Sequence, residues 1–200
     1  MSNTFICFRY PEKYGAIKKN HLSLALNLWK IDRKESIQLS HEKNIFSFLI
    51  TRHPFERILS AFRFKNWTTT PAIKRFMKEK QTEDLSFKLF IEFLVKTPVR
   101  LFDIHWMPIY LTCKPCLVDY KFIGNTDTMK EDSEKILKKI GVKRSLPLDH
   151  VQPSGNSKTK IHKFYSDFDK ELLDKLYNIY EMDFILFGYS PDEYYEIVQT

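Results

Sequence analysis

Arg52 and Ser60 have the types and the spacing to bind an anion at the start of a helix. The apolar run 46–51 predicts a buried strand, and Pro54 suits the first helical position, where its missing N–H costs nothing. A helix N-terminus favours negative charge, and a guanidinium matches phosphate or carboxylate. The segment therefore predicts an anion site built from Arg52 and Ser60. The alternative is that Arg52 pairs with an acid such as Glu56 and that Ser60 only packs.

Two histidines are candidates for a general base, because an imidazole titrates near neutral pH and can accept a proton from a hydroxyl. His105 lies two residues after Asp103. This pair predicts either a base or a structural hydrogen bond between the two side chains. His41 lies just before the apolar run and is the second candidate, with a solvated loop histidine as its alternative.

The cysteines are Cys7, Cys113 and Cys116. The Cys-x-x-Cys at 113–116 is at most half a zinc site, because no second pair or histidine has suitable spacing. In a reducing compartment such a pair indicates redox chemistry, and in an oxidising one it indicates a structural disulfide. Cys7 is left either free or paired outside this chain.

The composition predicts one folded domain over residues 1–200 with an acidic partner. The sequence is 43% hydrophobic and 15% aromatic, which argues against disorder. Its net charge of +7 fits a nucleotide, an acidic glycan, nucleic acid or a membrane surface. Neither a G-x-G-x-x-G nor a G-x-x-x-x-G-K-[ST] motif occurs. No apolar run approaches the roughly 18 residues that span a bilayer, and the first residues contain no secretory apolar segment.

Strand-like and helix-like segments alternate along the chain, which predicts an α/β domain with a mostly parallel central sheet flanked by helices. Residues 117–124 predict a second strand that ends in a turn. The expected helix caps are Asp84 for the helix that follows it, a Thr128–Glu131 capping box, and Ser166 or Asp167 for the last long helix.

Several motifs, in order along the chain, resemble the Golgi carbohydrate sulfotransferases. Residues 52–63, R-H-P-F-E-R-I-L-S-A-F-R, are similar to the family's 3′-phosphate-binding motif. Residues 103–108, 113–116 and 180–189 resemble its Asp-x-His-Trp-x-Pro, Cys-x-x-Cys and Tyr-x-x-Asp-Phe-x-x-Phe-Gly-Tyr segments. The chain is most similar to the branch that includes the HNK-1, chondroitin-4 and dermatan-4 enzymes. The resemblance extends over 46–189 and implies the P-loop-like sulfotransferase fold.

The resemblance implies that the sulfate donor is PAPS and that PAP is the product. Arg52 and Ser60 match the residues that hold the donor's 3′-phosphate. Lys13, Lys18 and Lys19 give only a degenerate version of the 5′-phosphosulfate loop, which lacks the expected Thr or Ser. His105, or secondarily His41, would act near the acceptor hydroxyl, and no metal is implied.

The resemblance also implies details of the acceptor side and of the cysteines. Trp106 would either stack on a sugar or be a buried aromatic. In an oxidising Golgi lumen, Cys113 and Cys116 would form a structural disulfide.

The predicted function is sulfuryl transfer from PAPS to a hydroxyl of an acidic or neutral glycan on a proteoglycan or glycoprotein. The main alternative is an impaired relative that binds nucleotide or glycan without turnover. A P-loop kinase and a basic nucleic-acid binder are the remaining alternatives, although no nucleic-acid partner is expected. The family implies the Golgi lumen or membrane. Because this sequence lacks the family's N-terminal anchor, we expect a domain truncated at its N-terminus, and membrane association would require that anchor.

Overall fold

The computed structural model describes residues 7–11, 41, 45–64, 66–143 and 158–199. Lys13, Lys18 and Lys19 lie outside these residues. Within the described part, short 3₁₀ turns occur at Trp67–Thr69 and Val99–Leu101. The strands are β1 (Cys7–Pro11), β2 (Ile45–Thr51) and β3 (Phe122–Asn125), and the helices are α1 (Pro54–Phe64), α2 (Pro71–Glu79), α3 (Phe87–Lys96), α4 (Ile109–Cys113), α5 (Met129–Lys139), α6 (Lys158–Tyr165), α7 (Lys170–Phe187) and α8 (Asp192–Gln199).

The described residues divide into two compact units. The sheet unit lies within Phe5–Arg52 and Ile109–Ser154 and contains the three strands with α4 and α5. The helical unit lies within His53–Pro108 and Gly155–Thr200 and contains the other six helices. Each unit has a hydrophobic core of its own.

The sheet unit is built around β2, which is buried along its whole length. β2 pairs antiparallel with β1, from Cys7 opposite Leu49 to Pro11 opposite Ile45. It pairs parallel with β3, and Thr51 lies opposite Asn125 where both strands end. An apolar cluster of Phe46, Phe48, Ile50 and Ile136 packs α5 on one face of this sheet. Such a continuously apolar strand is typical of a sheet that is covered on both faces.

A buried carboxylate ties the end of β3 to the start of α5. Asp132 accepts hydrogen bonds from the Asn125 N–H at 3.1 Å and from the Thr128 hydroxyl at 2.6 Å. Burial raises the pKa of Asp132, but these bonds and Lys135 together lower it below its usual value. Thr128 therefore stabilises the helix start through Asp132, and it makes no side-chain hydrogen bond to a backbone N–H as the expected capping box would require.

At Gly124, α5 and β2 both lie close to β3. A Cβ placed there would lie 2.7 Å from the Asp132 carboxylate and 3.0 Å from Ile50 Cδ1. The strand itself is shorter than predicted, because 117–121 form turns before β3 begins at Phe122.

The helical unit is held together by an aromatic core. Phe55, Phe90 and Tyr165 are fully buried in it, together with Trp67 and Phe184. Phe55 packs edge-on against Phe184, with ring centres 4.9 Å apart. Aromatic pairs of this geometry add about 0.5–1.5 kcal/mol each beyond the area they bury.

Two helix caps in this unit differ from the predicted ones. Ser86, and not Asp84, caps α3 by accepting the Leu89 N–H at 3.2 Å. Asp169, and not Ser166 or Asp167, caps α7 by accepting the Leu172 N–H at 2.7 Å. In both cases the cap is the residue directly before the first helical turn, as the bonding to the second or third N–H requires.

The predicted α/β class is confirmed. Of the two described strand pairings, β2–β3 is parallel and β1–β2 is antiparallel, so the described sheet is small and mixed. The strand–turn–helix prediction is also confirmed, because β2 ends at Thr51 and α1 begins at Pro54.

Candidate functional site

Arg52 lies one residue beyond β2 in the sheet unit and is half-buried. The Thr126 N–H donates to the Thr51 carbonyl at 2.9 Å, which continues the β2–β3 pairing past the end of β3. Arg52 therefore lies at the carboxyl edge of two parallel strands. In α/β sheets this edge is the usual place for a ligand.

His53 caps the N-terminus of α1, which sequence reasoning missed. Its Nδ1 accepts the Phe55 N–H at 3.2 Å, and its Nε2 lies 3.0 Å from the Ser190 carbonyl. A nitrogen that accepts an N–H carries no proton, so Nε2 is the nitrogen that donates to Ser190. The ring also stacks on Tyr194, with ring centres 4.9 Å apart. Phe55 is the first α1 residue with an N–H, because Pro54 has none, and His53 uses that N–H.

Ser60 lies two turns into α1 in the helical unit and is half-buried. Among the described residues its hydroxyl has no hydrogen-bond partner. Phe64 is one turn further on the same face, since residues four apart on a helix have Cβ atoms about 5–6 Å apart. Ser60 and Phe64 thus present a hydroxyl and an aromatic ring side by side.

His105 forms a pair with Asp103, as one of the two sequence interpretations expected. Asp103 Oδ1 contacts His105 Nδ1 and also accepts the His105 N–H at 2.9 Å. A carboxylate can only accept, so Nδ1 carries a proton, and in the neutral imidazole the lone pair is then on Nε2. Nε2 has no hydrogen-bond partner among the described residues, and the side chain is 19% exposed.

Two aromatic rings fix the plane of the His105 imidazole. Phe64 stacks on it with ring centres 5.5 Å apart and 23° between the planes, and Trp67 packs edge-on at 5.4 Å. Trp67 is itself held by a hydrogen bond from Nε1 to the Ala61 carbonyl at 2.7 Å. Because Phe64 is on α1, the His105 ring packs against the last turn of this helix.

Trp106 is buried and is 3% exposed, so it does not offer a face to a sugar. It packs edge-on against Trp67 at 4.6 Å and against Phe90 at 5.3 Å. Of its two sequence interpretations, the buried aromatic is correct. The exposed aromatic beside His105 is Phe64, with 43% of its surface open.

A buried polar cluster lies behind the His105 turn and was also missed. Arg57 Nη2 donates to the Met107 carbonyl at 2.5 Å and to the Trp106 carbonyl at 3.3 Å. The Tyr180 hydroxyl donates to the same Trp106 carbonyl at 2.5 Å. Asp183 is fully buried nearby. Burial lowers the pKa of Arg57, while Tyr180 and the charge of Asp183 raise it again.

His41, the second candidate base, is exposed in the sheet unit. It lines a cavity of about 360 Å³ together with Ile123 and residues 115–120. The nearby Asp119 pairs with Lys121, and this pair, with a smaller contribution from His41, lowers the pKa of Asp119. His41 therefore has an acid near it, but among the described residues no hydrogen bond orients its ring.

The predicted Cys113–Cys116 disulfide is wrong. Cys113 is buried and disulfide-bonded, whereas Cys116 is a free, exposed thiol. Cys113 ends α4, and the next residue, Lys114, adopts a left-handed conformation with φ of 48°. This turn leaves Cys116 at the surface.

Comparison with known proteins decides the family. The model of the family described as "Sulfotransferase family" matches residues 7–190. The chain belongs to the sulfotransferase family. The predicted resemblance to carbohydrate sulfotransferases is thereby confirmed, and the α/β architecture fits the P-loop-like fold expected for a sulfotransferase.

The curated relatives of this sulfotransferase family member are carbohydrate sulfotransferases. Carbohydrate sulfotransferase 10 of Xenopus laevis is 32% identical over 180 residues, which cover 78% of this chain and 51% of the relative. Carbohydrate sulfotransferase 11 of Rattus norvegicus is 27% identical over 202 residues, which cover 90% of this chain and 57% of the relative. The chain thus spans about half the length of the curated relatives it matches. No solved structure matches it.

Two further observations concern only the residues that the structure describes. Among them, no helix combines the length and the apolarity needed to cross a membrane. They also contain no cluster of three His, Cys, Asp or Glu side chains that could hold a metal ion.

Proposed function

We propose that this sulfotransferase family member transfers a sulfuryl group from PAPS to a hydroxyl of a glycan. The observation that supports this best is the Asp103–His105 pair, whose imidazole stacks on the exposed Phe64 ring. Asp103 holds the proton of Nδ1, which leaves Nε2 able to accept one. An imidazole oriented in this way by a carboxylate is the arrangement that general-base catalysis requires.

In the proposed reaction, His105 Nε2 takes the proton of the acceptor hydroxyl as its oxygen attacks sulfur. An oxygen–sulfur bond forms to the glycan, the bond from sulfur to the phosphate oxygen of the donor breaks, and PAP leaves. Positive groups near the leaving oxygen would stabilise its developing charge. Lys13, Lys18 and Lys19 remain our candidates for that role, on the strength of the sequence resemblance alone.

Arg52 and Ser60 are our proposed ligands of the donor's 3′-phosphate. The sequence motif supports this assignment for both residues. The half-buried Ser60 hydroxyl and the position of Arg52 at the carboxyl edge of β2 agree with it individually.

The glycan acceptor would lie against the exposed ring of Phe64. That ring is in contact with His105 on one side and is 43% exposed. A flat apolar ring suits the C–H face of a sugar, and packing there would bring a hydroxyl toward Nε2. Arg63, exposed one residue earlier, would favour an acidic sugar. By family, we place this reaction in the Golgi lumen, with a proteoglycan or glycoprotein as the carrier of the glycan.

The second candidate is a relative that binds nucleotide or glycan without turnover. It is favoured by the absence of the expected Thr or Ser from the 5′-phosphosulfate segment of the sequence. Measuring PAP affinity and sulfate transfer on the same preparation separates the two. Tight PAP binding without transfer to any glycan acceptor would favour this second candidate.

The donor assignment is tested by Arg52→Ala. We expect PAP affinity to fall by about 1.5–3 kcal/mol, the scale for hydrogen bonds to charged groups, with an unchanged melting temperature in the absence of PAP. Titration calorimetry with PAP measures this. Arg75→Ala, at an exposed position of α2, removes the same charge and should leave the affinity unchanged. Equal affinities for Arg52→Ala and the unmodified protein would reject the assignment.

A further inference from the structure

Arg57, Tyr180 and Asp183 form a buried polar cluster in the helical unit. Arg57 comes from α1, and Tyr180 and Asp183 come from α7. All three are at most 2% exposed. Burying a guanidinium is costly unless it is paired and hydrogen-bonded. The targets of its hydrogen bonds therefore indicate what the cluster does.

The targets are the two carbonyls that follow His105. Arg57 and Tyr180 both donate to Trp106 O, and Arg57 also donates to Met107 O. On the other side of the turn, the N–H groups of the same two residues donate to Asp103 O at 3.1 and 3.0 Å. The N–H groups of Trp106 and Met107 thus hold the turn locally through Asp103 O. The carbonyls of the same two residues accept hydrogen bonds from side chains on α1 and α7.

We propose that Arg57 and Tyr180 are positioning residues, which fix the turn so that the His105 imidazole faces the acceptor. This inference rests on the proposed function of His105. The ring is held by Asp103, Phe64 and Trp67, but these contacts hold its angle only if the backbone beneath it does not move. Reaction geometry is sensitive at this scale, since a displacement of about 1 Å can cost about 100-fold in rate.

Tyr180 stays protonated and able to donate because burial raises its pKa. The negative charge of Asp183 also raises it, and Arg57 opposes both effects. The hydroxyl donates to Trp106 O and also contacts the Arg57 guanidinium. Replacing Tyr180 by phenylalanine removes both contacts and leaves the ring that packs in the core.

The chain offers a matched control in Tyr165. It too is fully buried in the same core, and its hydroxyl donates to a backbone carbonyl, Phe55 O, at 2.9 Å. Burial raises its pKa as well. The two tyrosines differ in the carbonyl they hold, since only Trp106 O follows His105, and Tyr180 also contacts Arg57.

The experiment compares Tyr180→Phe with Tyr165→Phe in the whole chain. Both variants should lower the melting temperature, and Tyr180→Phe should lower it more because it also removes a contact of the buried Arg57. Tyr180→Phe should lower kcat about 10- to 100-fold, with PAP affinity and the KM for glycan within twofold of the unmodified protein. Tyr165→Phe should leave kcat within twofold. Equal kcat values for the two variants would overturn the proposal.

A second measurement keeps the test valid if the protein binds PAP without turnover. The ring ¹⁵N and ¹³C resonances of His105, assigned through His105→Gln, report the imidazole environment directly. They should shift or broaden in Tyr180→Phe and stay in place in Tyr165→Phe. Unchanged His105 resonances in Tyr180→Phe would overturn the positioning role. Absence of sulfate transfer by the unmodified protein would instead count against the proposed function.

Discussion

The turn that carries His105 and the cavity beside His41 contain similar residues, but they differ in how firmly their contacts orient the histidine. Both place a histidine near an aspartate, Asp103 in one case and Asp119 in the other. His105 has a carboxylate on one nitrogen and an aromatic ring on its face. His41 is exposed, and its nearby acid is already paired with Lys121.

This difference separates a histidine that is merely close to an acid from one that an acid orients. A general base needs its lone pair fixed toward the proton it removes, so hydrogen bonding at the other nitrogen decides its usefulness. The comparison therefore favours His105 over His41 as the proposed general base. It can be tested by changing corresponding residues in the two regions.

The largest effect is expected from the histidines themselves. His105→Ala should lower kcat by about 10²–10⁴-fold, the usual contribution of a general base, and His41→Ala should leave it within about twofold. A sulfate-transfer assay at saturating PAPS measures both. A larger loss from His41→Ala than from His105→Ala would exchange their roles.

The next largest effect concerns one acid in each region, the buried Asp183 behind the His105 turn and the exposed Asp119 beside His41. Asp183→Asn should lower the free energy of unfolding by about 3–5 kcal/mol, because it removes the negative charge near the buried Arg57 guanidinium. Asp119→Asn, in an exposed pair with Lys121, should cause no measurable change. Urea unfolding monitored by tryptophan fluorescence compares the two. Similar midpoints would show that burial of the Arg57 cluster contributes little to stability.

The smallest effect concerns the exposed apolar side chains in each region. Phe64→Leu should raise the KM for glycan by about 2- to 12-fold, equivalent to the 0.5–1.5 kcal/mol of an aromatic contact. Ile123→Ala, at the 49% exposed position beside His41, should leave it unchanged. Initial rates over a range of acceptor concentrations give both values. An unchanged KM in Phe64→Leu would remove Phe64 from the acceptor site.

The sequence predicted the elements whose signals are local. The apolar run that forms β2 and the proline that begins α1 were correctly placed, because strand and helix periodicities are properties of neighbouring residues. The helix caps were less predictable. Asp84 and Ser86 are both good caps, and the choice between them depends on where packing begins α3.

The residues of the candidate site that could do chemistry were predictable from the sequence. The side chains that hold the backbone next to them were less so. The Asp103–His105 pair could be proposed from sequence because its members are two residues apart. The donors to Trp106 O could not, because Arg57 and Tyr180 are 49 and 74 residues away. The error over Cys113 and Cys116 has a similar origin, since the turn at Lys114 and the burial of Cys113 are properties of the fold.

The double donation to Trp106 O also has a kinetic consequence. The two hydrogen bonds to Trp106 O join residues that are 49 and 74 positions apart in the sequence. Forming each bond closes a loop, and the entropic cost of closure grows with the length of that loop. Contacts of long sequence separation are the ones that slow folding. We therefore expect the turn around His105 to become rigid only after α7 has docked on α1, at a late stage in the folding of the helical unit.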